Sequence, residues 1–242
     1  MRGSMAPERL IQYDPMMKLL ALDTSTEYCS AALCIDGEID EREARVGQRH
    51  SQILLGMLDE LLRLRRMRVS DLDAIAFGEG PGSFTGLRIA CGVVQGLAFG
   101  ADVPVVGVGT LLAMAHGSGA HRVVCCIDAR MQEVYFGAYT RERGELHALH
   151  EPIVCAPGDA RALPGAGWTG CGSGFSAYGD ALAARYAGQL AAVEPDRHPR
   201  ARDIAVLAAE KVRAGLAVGA EHAAPVYIRD KVALTSDERA AR

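Results

Sequence analysis

The chain has 242 residues, of which 49% are apolar and 23% charged. That balance supplies one or two globular units with a substantial core, and it excludes a disordered chain, a collagen and a disulfide-stapled miniprotein. The net charge of −4, from 26 basic and 30 acidic residues, excludes a polybasic nucleic-acid binder, which needs a clustered positive face.

Residues 1–16 read as a leader outside the fold, with Met16 or Met17 as a sensible native start. Leu19 to Thr24 is a short apolar run that ends in Asp-Thr-Ser-Thr, a buried strand with a polar turn. Ala31 to Ile35, the turn Asp36-Gly37 and Glu38 to Ala44 continue it as a β-meander. A helix follows from about His50. Its Leu54, Met57, Leu58, Leu61 and Leu62 fall on one face, and Ile53, Leu55 and Leu64 widen that face beyond what one sheet contact needs. Ala74 to Gly78 is a second buried strand. The turn Gly80-Pro81-Gly82-Ser83-Phe84-Thr85-Gly86 then opens a helix from Leu87 to about Phe99. That helix carries Gly92, Gly96 and Gly100 at four-residue spacing. Each glycine costs a helix about 1 kcal/mol relative to alanine, so the stripe predicts close approach by another backbone.

Val103 to Val108 reads as a strand and Leu111 to His116 as a short helix. The pattern then restarts: Val123 to Ile127 is a strand ending in Asp128, followed by strands at Glu133 to Tyr139 and Leu146 to His150. Residues 156–167 are loop-like, Trp168 to Gly174 leads into a helix near Ala177 to Ala187, and Asp203 to Ala214 is a further helix. Pro225 to Arg229 is a terminal strand or an extended segment. A strand ending in Asp opens each half, which predicts two α/β lobes related by duplication: 17–111, and a smaller 112–232, with a loose tail at 233–242. No apolar run reaches the ~20 residues that span a bilayer.

Asp23, Thr24 and Ser25 admit two readings. One is a phosphate loop; the other, favoured because no glycine follows the Asp, is a strand-end turn capped by its own side chains. The Gly80, Gly82, Ser83, Thr85 and Gly86 turn, with Arg88 one turn on, is either an anion site at a helix N-terminus or a tight turn with Thr85 as the cap. It is not a P-loop, because no Gly-Lys-Ser/Thr follows. His50 has no second histidine four residues on, so a helical metal pair is absent and no metal site is expected. Seven cysteines, an odd number with no C-x-x-C, predict free thiols and a cytoplasmic setting. Cys171, in a glycine-rich loop, is a weak candidate nucleophile.

Four segments together resemble the bacterial TsaB (YeaZ) family. They are Lys18 to Thr26, Gly80 to Arg88 (GPGSFTGLR), Ile127 to Tyr135 (IDARMQEVY) and Pro225 to Arg229 (PVYIR), in that order along residues 17–232. The resemblance implies a two-lobed actin-like (ribonuclease H-like) α/β fold of duplicated βββαβα lobes, the second reduced. It implies a role in making N6-threonylcarbamoyladenosine at position 37 of tRNAs that read ANN codons. In that role the chain is a non-catalytic scaffold for the catalytic subunit TsaD, joined by the ATPase TsaE. It would self-associate when alone, would meet tRNA mainly through its partners, and would have no resident cofactor beyond ATP or ADP at the partner interface. The implied pairing surface is the two N-terminal-lobe helices, through Leu54, Leu58, Leu61, Leu62, Ile89, Gly92, Val93, Gly96 and Leu97. The bland alternative is that their own lobe covers both helices. A different class of function is an autonomous nucleotide-dependent enzyme using Asp23, Asp128 and the glycine turns. A metallopeptidase is the weakest alternative, lacking a histidine pair.

Overall fold

A computed structural model describes residues 17–229. The expected leader (1–16) and the tail at 233–242 lie outside the described residues. The first lobe begins with a meander, β1 (Lys18–Asp23), β2 (Tyr28–Ile35) and β3 (Glu38–Arg45), and continues with α1 (His50–Leu64), β4 (Ala74–Gly80), α2 (Phe84–Ala101) and β5 (Val105–Gly109). After α3 (Thr110–Ser118) a second meander follows: β6 (Arg122–Arg130), β7 (Glu133–Glu142) and β8 (Glu145–Cys155). Then come β9 (Trp168–Cys171), α4 (Gly174–Ala177), α5 (Gly179–Arg185), β10 (Leu190–Glu194) and α6 (Ala201–Arg213).

The two sheets have the same topology. The first runs β3-β2-β1-β4-β5, and the second runs β8-β7-β6-β9-β10. In each, three antiparallel strands are followed by two that run parallel to the first. This is the duplicated, two-lobed actin-like α/β fold that the strand pattern and the resemblance imply.

Alternation along the strands divides the first sheet into two different faces. Leu20, Leu22, Ile75, Phe77 and Val105 point to α1 and α2. Leu19, Ala21, Ala74, Ala76, Val106 and Val108 point to α6, which answers with Ala201, Ile204, Ala205 and Ala208. This second face is rich in alanine, so α6 lies close to the sheet. In the second lobe, Trp168, Phe136, Phe175 and Leu182 fill one face of the sheet. Leu111 and Met114 of α3 cover the other with Cys125, Tyr139 and Cys171. Helices α3 and α6 therefore lie between the two sheets, and His116 Nδ1 meets Asp203 Oδ1 at 2.8 Å where they touch.

Four expectations change. The helix foreseen near 177–187 is two short pieces that break at Tyr178, whose φ of −135° is not helical. Strand β10 was not foreseen; Leu-Ala-Ala-Val-Glu is short and shows no alternation. Pro225 to Arg229 is extended but pairs with no sheet, giving one backbone hydrogen bond from Val226 N to Glu79 O at 2.7 Å. The boundary between residues 111 and 112 does not keep the lobes separate along the chain: α6 returns to the first sheet, whose alanine face would otherwise be bare.

Candidate functional site

Helices α1 and α2 lie side by side on the leucine-rich face of the first sheet. Leu54, Leu58, Leu61 and Leu62 are all buried within the chain's own core. They are not docking residues, which corrects that part of the expected surface. Of the residues that widen the stripe, Ile53 packs at the edge of the core, while Leu55 and Leu64 are exposed. Helix α2 buries Leu87, Ala90, Cys91, Val94 and Ala98. By length and composition α2 could cross a bilayer, but that face is committed to the sheet.

The rest of α2 is uncommitted. Ile89, Val93 and Leu97 are half-buried along the edge of the core. Gly92, Gly96 and Gly100 are exposed, and a Cβ added at any of them would meet nothing within 4 Å. The same holds for Gly56 on α1. Phe99, beside the stripe, is 82% exposed. Packing among the described residues therefore gives no reason for these glycines, each of which weakens its helix. A flat glycine strip edged by Ile89, Val93, Leu97 and Phe99 can admit the backbone of another helix at close range.

The glycine-rich turn ahead of α2 is built for a different purpose. Ser83 N donates to Ser25 O at 2.7 Å, and Thr24 Oγ1 donates to Gly86 O at 2.7 Å. A Cβ on Gly82 would lie 2.5 Å from the Ser25 carbonyl oxygen, and one on Gly86 would overlap the Thr24 carbonyl. The glycines let this turn sit directly on the end of β1. The two segments read as possible anion loops thus fill each other. Ser83 caps the helix, with its Oγ accepting from Gly86 N at 3.3 Å; Thr85, the expected cap, is exposed. Arg88 lies over the Phe84 ring, 3.9 Å from its centroid, and donates to the Tyr227 hydroxyl at 3.1 Å.

Asp23 is fully buried beside Gly78. Its Oδ1 accepts from Ser25 N at 3.0 Å and Ser25 Oγ at 2.8 Å, while Oδ2 has no partner. Burial pushes its carboxyl up to about 6, against the lowering effect of the Ser25 bonds. Asp128, its counterpart at the end of β6, accepts from Arg130 N at 2.8 Å and from the Tyr178 hydroxyl at 3.1 Å. Between the lobes lies a cavity of about 810 Å³. Segments 25–28, 81–85, 128–131 and 226–229 all line it, so the four segments that carry the family resemblance converge on one cleft.

The other reactive groups are engaged. His50 is buried and donates from Nε2 to the Tyr28 carbonyl at 3.1 Å. Among the described residues no His, Cys, Asp or Glu cluster could hold a metal ion. All seven cysteines are free thiols. Cys171 is buried, and burial with nearby Glu194 pushes its thiol up to about 12, which leaves it protonated and unreactive at neutral pH.

The family model described as TsaD, tRNA N6-adenosine threonylcarbamoyltransferase, matches residues 44–236. The tRNA threonylcarbamoyladenosine biosynthesis protein TsaB of Escherichia coli (strain K12) is 39% identical, over 90% of this chain and 96% of its own. The TsaB of Haemophilus influenzae is 38% identical, over 89% and 95%. Two solved structures of Pseudomonas aeruginosa proteins superpose closely. YeaZ gives a TM-score of 0.81 at 42% identity, and a protein with similarity to peptidase YeaZ gives 0.82 at 41%. Each alignment covers 88% of this chain and all of the other.

Proposed function

The chain belongs to the TsaB (YeaZ) family, and from that premise we propose that it is a non-catalytic scaffold in tRNA threonylcarbamoyladenosine synthesis. It docks a TsaD-type subunit through the outer face of α2. The observation that carries this reading is the stripe of Gly92, Gly96 and Gly100, where an added side chain would meet nothing among the described residues. A partner helix brought against that stripe would bury Ile89, Val93, Leu97 and Phe99. It would recover the stability that the glycines forgo. Without the partner the same face would pair two copies of this chain. The ATPase TsaE would join the assembled pair, and tRNA would be held mainly by the partners, in keeping with the acidic net charge of −4.

Three features support a role without catalysis. The Cys171 thiol is protonated, His50 is spent on a backbone carbonyl, and the glycine turn is packed on its own chain. The autonomous nucleotide enzyme has less support, because the backbone groups it would offer a phosphate include Ser83 N, already given to Ser25 O.

The test is a drop-out reconstitution with threonylcarbamoyl-adenylate, TsaD, TsaE, ATP and tRNA. Modified adenosine is expected only when this chain is added, and none from the chain alone. Equal product without the chain would overturn the reading.

A further inference from the structure

Tyr227 and Arg229 stand two residues apart on one extended segment and grip different lobes. Val226 N is bonded to Glu79 O in the first lobe. The Val226 carbonyl oxygen lies where a Cβ on Gly80 would come within 2.5 Å, and Gly80 has a φ of +126°. Tyr227 accepts from Arg88 Nε and has its ring 5.3 Å from that of Phe84. Arg229 then reaches across the cleft. Its Nη1 donates to the Ala129 carbonyl at 2.8 Å, and its Nη2 pairs with Glu133. Its side chain is only 14% exposed.

The turn that Arg229 reaches is itself unusual. Arg130, Met131 and Gln132 are three successive non-glycine residues with φ of +62°, +56° and +63°. Met131 and Gln132 are the central pair of the β6–β7 hairpin, closed by the pairing of Arg130 with Glu133, and positive φ at both is the turn that matches the twist of the flanking strands. Asp128 accepts from Arg130 N at its base, and Arg229 donates to the Ala129 carbonyl beside it.

We propose that Val226–Arg229 is a catch across the interlobe cleft, with the Arg229–Glu133 pair as its releasable end. Engaged, it fixes one closure of the lobes. Released, the cleft widens about the α3–α6 contact. Release is easy because Glu133 is 37% exposed to water, which competes for it. Arg88, which holds Tyr227, lies on the helix that carries the glycine stripe, so the strap joins the cleft to that face. The catch acts within the isolated chain, so its failure would leave the docking reading untouched.

The test is a distance measurement between spin labels at Gln48→Cys and Ser176→Cys, exposed positions on opposite walls of the cleft, with Cys155→Ser as background. The full chain is expected to give one narrow distribution. Arg229→Ala should broaden it toward longer distances and make the Arg130–Glu133 amides exchange hydrogen roughly tenfold faster. Arg229→Lys, which keeps a cationic donor for the Ala129 carbonyl and for Glu133, should keep most of the narrow distribution. Glu133→Gln, which changes no backbone contact, should act in the same direction as Arg229→Ala and serves if that variant does not fold. Distributions that superpose on the parent in Arg229→Ala or Glu133→Gln, or an Arg229→Lys distribution as broad as that of Arg229→Ala, would overturn the proposal.

Discussion

Gly86 and Gly96 stand ten residues apart on one helix and have opposite reasons to be glycine. Gly86 faces inward, where the backbone of Thr24 occupies the space a side chain would need. Gly96 faces outward, where a side chain would meet nothing. The first is fixed by the chain's own packing, and the second is free of it. A glycine in a helix is therefore informative only once its surroundings are known: the inward one marks a docked loop, the outward one a face awaiting a partner.

The contrast between inner and outer faces can be broken in graded steps. Leu58→Glu forces an unpaired carboxylate into the α1–β2 core and should remove about 4 kcal/mol or more, enough to unfold the chain in urea titrations. Val93→Glu, at the half-buried edge of the outer face, should change stability by about 1 kcal/mol or less. If both unfold the protein equally, the two faces are not distinct. Gly86→Ala should cost roughly 2–3 kcal/mol by overpacking against Thr24, again read by denaturant midpoint.

Asp23, beneath the docked loop, gives a pH-dependent step. Its folded value of about 6 lies above the ordinary 3.8, so between those values the folded state holds a proton that the unfolded state has lost. The stability contributed by the neutral acid is complete below 3.8 and is lost as pH rises through 6. Asp23→Asn should remove that loss, raising stability at pH 7.5 by up to about 3 kcal/mol and flattening the profile between pH 4 and 6. A profile unchanged by the substitution would show that the carboxylate is better solvated than its burial implies.

Much of this was legible in the residues. The two meanders, the strand ends at Asp23 and Asp128 and the start of α1 at His50 follow from alternation and from helical spacing. What was not legible depends on contacts distant in sequence. The leucines of α1 look the same whether a sheet or a partner covers them, and only the position of β2 and α2 decides. Ala201, Ile204, Ala205 and Ala208 announce a buried helix face, but nothing local says that it returns to the first sheet. The glycine turn reads equally as an anion site or as a tight turn until the Ser25 and Thr24 carbonyls are seen filling it. Strand β10 is five residues of weak pattern, recruited by pairing with β9.

The most direct test is Gly96→Leu, measured twice: for melting temperature and for affinity to a TsaD-type partner. The side chain has open space in the isolated chain and removes a helix-weakening glycine, so the melting temperature should stay the same or rise. At a close helix interface it should clash, and affinity should fall about 100-fold, roughly 3 kcal/mol. A folded variant that binds the partner with unchanged affinity would contradict the account, as would a melting temperature that falls in step with binding.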